Sequence, residues 1–172
     1  MVMKKAFIVL LLMACFSLSL FSQQALDELH VHDGEKTLHL LMSVSEVYLL
    51  LGEPCEVKRV ESTRPYHQYD RITLEYPGIT FIYDEYKEDP PILVIGFGAK
   101  NLKLGSHYII GASIKDVENK FGNPYSTETT SEFVYYRYEF WLSSVENIIL
   151  QFRFNALGIC NGVVLTHSSL TV

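Results

Sequence analysis

Two stretches of the chain, offset by seventy positions, share one pattern of apolar and polar residues: Ser43 to Pro54 lies over Ser113 to Pro124. Val44, Val47 and Leu51 recur at i, i+3 and i+7, and so do Ile114, Val117 and Phe121. That spacing makes one apolar stripe along a helix. Ser43 and Ser113 precede the stripes, where a hydroxyl can accept from first-turn N–H groups that lack a helical partner. Glu46 and Asp116, three residues on, complete a capping box and set negative charge at the positive end of the helix dipole. Gly52 and Gly122 stand where a left-handed residue closes a helix, and Pro54 and Pro124 bar its continuation. The pattern predicts two helices of about eight residues, each stopped sharply.

After each helix the period shortens to two, the signature of strands. Strands are expected at 55–61, 69–76, 79–86 and 92–97, then at 125–130, 133–141, 147–155 and 162–167. Pro77-Gly78 and Glu88 to Pro91 supply turns in the first set, Ser143-Ser144 and Ala156 to Gly158 in the second. The expected fold class is α+β, two tandem repeats, each a short helix plus a four-stranded antiparallel meander sheet. They divide the mature chain at residues 23–102 and 103–172, with Asn101 to Gly105 at the junction. Alternation assigns faces. Val134, Tyr136, Tyr138 and Phe140 point to the helix, and Tyr135, Arg137 and Trp141 to the open side, joined there by Ile149 and Arg153. In the first repeat Arg71, Thr73 and Glu75 share the open side. The expected core includes Val47, Leu51, Ile72, Leu74, Val117, Phe121, Tyr138, Leu150 and Phe152.

The N-terminus changes where this fold would work. Lys4 and Lys5 precede an apolar run from Ala6 to Phe21, then Ser22-Gln23-Gln24. Charge, apolar stretch and small-residue exit make residues 1–22 a signal peptide, so the mature chain is expected in the periplasm or secreted. The run is short for a retained span. Leu12-Met13-Ala14-Cys15 also resembles a lipobox, which keeps an outer-membrane lipoprotein open as the alternative. Apolar Phe16, Leu18, Leu20 and Phe21 beyond Cys15 favour cleavage after Ser22. Cys55 and Cys160 remain, one per repeat, and an oxidising compartment would permit one disulfide between them.

Composition narrows the chemistry. The 172 residues carry 20 acids against 14 bases and no basic stripe, which argues against nucleic-acid binding. At 48% hydrophobic the chain can bury a core, and disorder is excluded. His30, His32 and Asp33 form the most ligand-like cluster, yet no further ligand is near, and the segment reads as a polar N-terminal stretch, frayed or lying over the surface; no metal or cofactor is expected. Gly96-Phe97-Gly98 lacks the rest of a phosphate loop and reads as a bulge or strand exit. Asp84, Glu85, Glu88 and Asp89 lack calcium-loop spacing and read as a solvated turn. No nucleophile elbow occurs, so an enzyme is not expected.

The motif Ser-x-x-acid-Val, then Gly-x-Pro, then four strands, in tandem, resembles the β-lactamase-inhibitor-protein-like fold and its relatives, the SmpA/OmlA-type (BamE-like) outer-membrane assembly lipoproteins. The lead-in Leu41-Met42-Ser43 and Gly111-Ala112-Ser113 stands where those relatives carry Gly-Met-Thr. The resemblance implies two sheets forming a concave surface that grips a partner protein in the inhibitor, or an assembly scaffold in the lipoproteins. One cysteine per repeat departs from the inhibitor's disulfide within each. The expectation that follows is an exported non-catalytic protein-binding module, with an inhibitor as one form of it, whose partner is another protein held at Tyr135, Arg137, Trp141, Ile149 and Arg153. A lipid-anchored structural component of the envelope is the alternative.

Overall fold

A computed structural model describes residues 29–61 and 69–169. The leader, Cys15 and the Ser22 cleavage point lie outside the described residues. Among those described, no helix is long and apolar enough to cross a membrane.

In chain order the elements are β1 (Val31–Asp33), β2 (Lys36–Leu38), α1 (Val44–Leu51), β3 (Glu56–Val60), β4 (Arg71–Tyr76), β5 (Ile79–Asp84) and β6 (Val94–Phe97). There follow β7 (Lys103–Leu104), β8 (His107–Tyr108), α2 (Ile114–Phe121), β9 (Ser126–Thr129), β10 (Val134–Trp141), β11 (Glu146–Phe154) and β12 (Cys160–Ser169). Both helices start on complete capping boxes, Ser43 with Glu46 and Ser113 with Asp116. They end at Gly52 and Gly122, whose φ of 78° and 79° pair with ψ of −156° and −159°. That is not the left-handed helical cap expected from sequence. It is a region open in practice to glycine alone, so the demand for glycine is stricter.

The expected fold class is overturned. The described residues are mostly β, two short helices among twelve strands, and they are not two helix-plus-meander units each with its own sheet. One eight-stranded antiparallel sheet runs β3-β4-β5-β6-β12-β11-β10-β9, and a separate four-stranded sheet runs β2-β1-β7-β8. The large sheet is continuous because β6 pairs with β12, Ile95 opposite Leu165 and Phe97 opposite Val163. The physical reason is the cost of buried edges. Left apart, β6 and β12 would each hold unpaired backbone donors and acceptors beside an apolar face, and pairing satisfies both rows at once. A single apolar cluster then spans both halves.

The small sheet overturns one further reading. His30 to Asp33 is not a frayed end: Val31 is fully buried, and β1 pairs with both β2 and β7. Asn101 to Gly105, the expected junction, supplies β7. The small sheet adds Val31, Leu38 and Leu104 to the common core.

Of the expected core, Val47, Ile72, Leu74, Val117, Tyr138, Leu150 and Phe152 are buried, while Leu51 and Phe121 are half-buried against it. Each helix is held at its end by a tyrosine from the sheet. Tyr76 Oη donates to Gly52 O (2.9 Å) and Tyr138 Oη to Gly122 O (3.1 Å). Burial pushes both phenols up to about 12. Just before α1, Leu41 holds φ of 68°, the one non-glycine with positive φ among the described residues. Gly111 occupies the matching place before α2 at φ of 99°. The two amides donate equivalently, Leu41 to Ile92 O and Gly111 to Cys160 O, both 2.8 Å. A leucine there costs about 1–2 kcal/mol relative to an ordinary backbone conformation.

Candidate functional site

The open face of the large sheet, opposite the helices, carries a groove across the β6–β12 seam of about 430 Å³. Cross-strand register builds it. Thr80 lies opposite Gly96, Gly96 opposite Val164, Val164 opposite Gln151, and Gln151 opposite Arg137. One residue pair along, Tyr135 faces Arg153, and Arg153 faces Gly162. Where neighbouring strands present side chains, the seam presents Gly96, Gly98 and Gly162, so the backbone forms the floor. Gly96 has a φ that any residue adopts, and a Cβ there would meet Val164 at an ordinary 3.9 Å. The floor is therefore bare without a backbone requirement at that position.

Arg153 is fixed across this floor. Its guanidinium lies 4.8 Å from the centre of the Phe133 ring, and Nε donates to Asn161 Oδ1 at 2.9 Å. A Cβ on Gly162 would come within 3.3 Å of the same guanidinium, so glycine there leaves room for the arginine to lie flat. Stacking on one side and a fork of bonds to Asn161 on the other hold the charge in place. Arg137 is more exposed and already engaged, with Gln151 Oε1 at 2.7 Å and Glu128 Oε2 at 3.2 Å.

The five expected site residues therefore divide. Tyr135 and Arg153 line the groove, and Arg137 borders it through Gln151. Ile149 is half-buried on the same face, one residue pair beyond Gln151. Trp141 is 57% exposed but lies at the other end of β10, six residues and about 20 Å from Tyr135. Alternation alone places all five on one face; it cannot say that they spread along it. The glycine floor and the Asn161 and Thr80 walls were not singled out from sequence. Gly96 and Gly98 carried the signal, since glycine inside a strand pattern marks a close backbone approach.

The inner side holds a second, smaller pocket of about 200 Å³ between the two sheets. It is lined by His30, His39 and His167 among leucines and Ile148. Among the described residues no group of three or more His, Cys, Asp or Glu is arranged to hold a metal ion. Asp33 instead accepts from Asn101 Nδ2 at 3.3 Å, and His32 Nδ1 lies 3.2 Å from Thr37 Oγ1. Cys55 is exposed and Cys160 buried, both as free thiols, and burial pushes Cys160 up to about 11. The thiol of Cys160 is inert at neutral pH for that reason.

No protein-family model matches the chain. No curated protein matches it in sequence. Among solved structures, it is similar to an extracellular protein containing an SCP domain from Bacillus anthracis, at 13% identity and a TM-score of 0.46. The match covers 78% of this chain and 49% of that one, so the chain spans about half of the protein it resembles. That protein is of neither group that the helix-and-Gly-x-Pro motif resembles.

Proposed function

We propose that this is an exported, non-catalytic binding module that holds a partner protein on the open face of the eight-stranded sheet. The observation that carries the reading is the seam groove: a bare glycine floor between a fixed arginine and Tyr135, with Thr80, Gln151 and Asn161 as hydrogen-bonding walls. A rigid charge beside an aromatic ring in a preformed cleft is the composition of an interface anchor point, since Tyr and Arg give large contact area with a polar tip and lose little freedom on binding. Arg137 and Ile149 extend the contact surface, and Trp141 forms its far rim. Export rests on the leader at residues 1–22 and supplies the setting, periplasmic or secreted.

The test places a photo-crosslinking side chain at Gln151 in the cells that make the protein. A defined crosslinked partner is expected, and it should vanish when Gly96→Leu fills the groove. A Cβ at Gly96 meets nothing closer than 3.9 Å, so the variant's circular dichroism spectrum should match the wild type. With the partner in hand, Tyr135→Ala and Arg137→Ala should each weaken binding by more than about 1 kcal/mol, and Trp141→Ala by less. Crosslinks no stronger than those from the same probe on the edge strand β9, or insensitivity to Gly96→Leu, would remove the groove as the binding site.

A further inference from the structure

The pocket between the sheets lies on the opposite side of the large sheet from the groove, and three observations meet in it. His167, on the inner face of β12, has its Nε2 buried with no hydrogen-bond partner among the described residues. Its neighbour across the strand, Ile148, is buried beside it in the wall. A buried imidazole nitrogen without a partner is costly and calls for an explanation in what the site receives.

The second observation is the gathering of imidazoles. The His30 and His39 rings stand 5.5 Å apart and line the same pocket as His167. His39 Nδ1 lies 2.9 Å from Leu40 O, to which only a protonated nitrogen can donate, so Nε2 is the nitrogen His39 has left to offer. No carboxylate lines the pocket, although acids outnumber bases across the chain.

The third is the strained residue. Leu41 lines this pocket and is 46% exposed, which puts it at the mouth with Leu142. The matching positions in the other half are Gly111, which bears the same backbone without strain, and Ile109 in place of His39, buried in the core. The half that forms the pocket therefore carries a strained leucine and a polar ring where the other half has a relaxed glycine and a buried isoleucine. Strain and an uncompensated polar group at one cavity are the mark of a site shaped for something other than stability.

We infer that this pocket binds a small apolar carboxylic acid, a single ring or a chain of about six to eight carbons. The leucines and Ile148 take the hydrocarbon; the acid enters with its proton, which passes to His39 Nε2, and the resulting carboxylate accepts from that imidazolium and from His167 Nε2, which a turn of its ring brings to the pocket wall. A cavity of about 150 Å³ holds benzene, so one of this volume has room for a ring with its acid group. Imidazoles are the only polar side chains in the lining, and a charge-assisted bond to one is what makes a buried carboxylate tolerable.

The purified protein should be titrated with hexanoate and benzoate, and with hexanol and benzyl alcohol as neutral counterparts, by calorimetry and by imidazole NMR. The acids are expected to saturate a single site and to shift the His30, His39 and His167 signals while leaving His107 unmoved. The alcohols should bind about tenfold more weakly. His167→Leu should lower acid affinity about tenfold and leave alcohol affinity unchanged. Leu41→Gly, which relaxes the backbone and opens the mouth, should weaken the acids severalfold with a melting temperature held or raised. Absence of saturable acid binding in the millimolar range, equal binding of acids and alcohols, or wild-type acid affinity in both variants overturns the proposal.

Discussion

The two halves of the large sheet keep the same skeleton and dress it differently. Each helix opens on a serine capping box, closes on a glycine in the same rare conformation, and is clasped there by a tyrosine hydroxyl. The bridge that tucks the helix start against the sheet is repeated too, Ser43 with Pro91 and Ser113 with Ile159. The open faces do not match. The first half pairs its charges along the edge, Lys58 with Glu75, Arg59 with Asp70 and Glu85, and Arg71 with Asp84. The second half sets Phe133, Tyr135 and Arg153 in a stack. Backbone bonds and caps are what holds the architecture, so they are retained. Outward side chains contribute little to stability, since exposed ion pairs are worth about 0–1 kcal/mol, and they are free to take on binding.

The comparison can be broken most forcefully in the core. Phe152 packs against three rings, Phe121 at 5.1 Å, Tyr138 at 5.7 Å and Phe154 at 6.4 Å. Its counterpart Phe81 meets one ring, Tyr76, at 5.7 Å. Both are fully buried, so truncation to alanine should cost about 3–5 kcal/mol, Phe152 at the top of that range and Phe81 at the bottom. Urea unfolding checks it; equal costs would mean that the aromatic stack adds nothing beyond buried area.

The clasps offer a sharper test of equivalence. Tyr76→Phe and Tyr138→Phe should each cost about 0.5–1.5 kcal/mol, and by the same amount. A phenol whose folded pKa exceeds its ordinary value of 10 favours the folded state fully below pH 10 and loses that contribution as the pH climbs toward about 12. Stability of the wild type should therefore fall between pH 10 and 12, and each variant should show a shallower fall. A marked inequality between the two variants would show that one clasp is incidental.

The smallest difference lies at the helix starts. Ser113→Ala should cost about 1 kcal/mol. Ser43→Ala should cost a few tenths less, because Asp89 Oδ1 also accepts from Ser45 N at 3.0 Å and keeps one first-turn donor satisfied. That bond holds the Asp89 carboxyl below its usual range, so its contribution is present above about pH 3.8 and lost as the pH falls. The gap between the two serine variants should close in acid, a result readable by thermal melts at pH 7 and pH 3.

Helices and most strands were legible because their signals are local. A serine, an acid three residues on and a glycine after two turns specify α1 and α2 within their own span, and alternation from Val134 to Trp141 specifies both faces of β10. The sheet as a whole was not legible. Nothing within Val94 to Phe97 distinguishes an edge from a strand that will pair with residues seventy positions on, and the period-two pattern is the same in either case. The small sheet escaped because β7 and β8 are two residues each, too short to show a period. Of the site, Tyr135 and Arg153 followed from alternation. The floor did not, because Gly96 and Gly162 become neighbours only through the pairing that sequence could not show.

Strand β12, last in order among those described, lies at the middle of the large sheet rather than at a margin. On a ribosome the chain must deliver every other described strand before the central hydrogen bonds can form. Until then strands β3 to β6 end in an unsealed β6, and distant contacts of this kind close slowly. The large sheet thus stays open at its centre until β12 has been made. Loss of β12 would part the large sheet at its middle and leave the β1–β7 pairing of the small sheet as the hydrogen-bonded link between the halves.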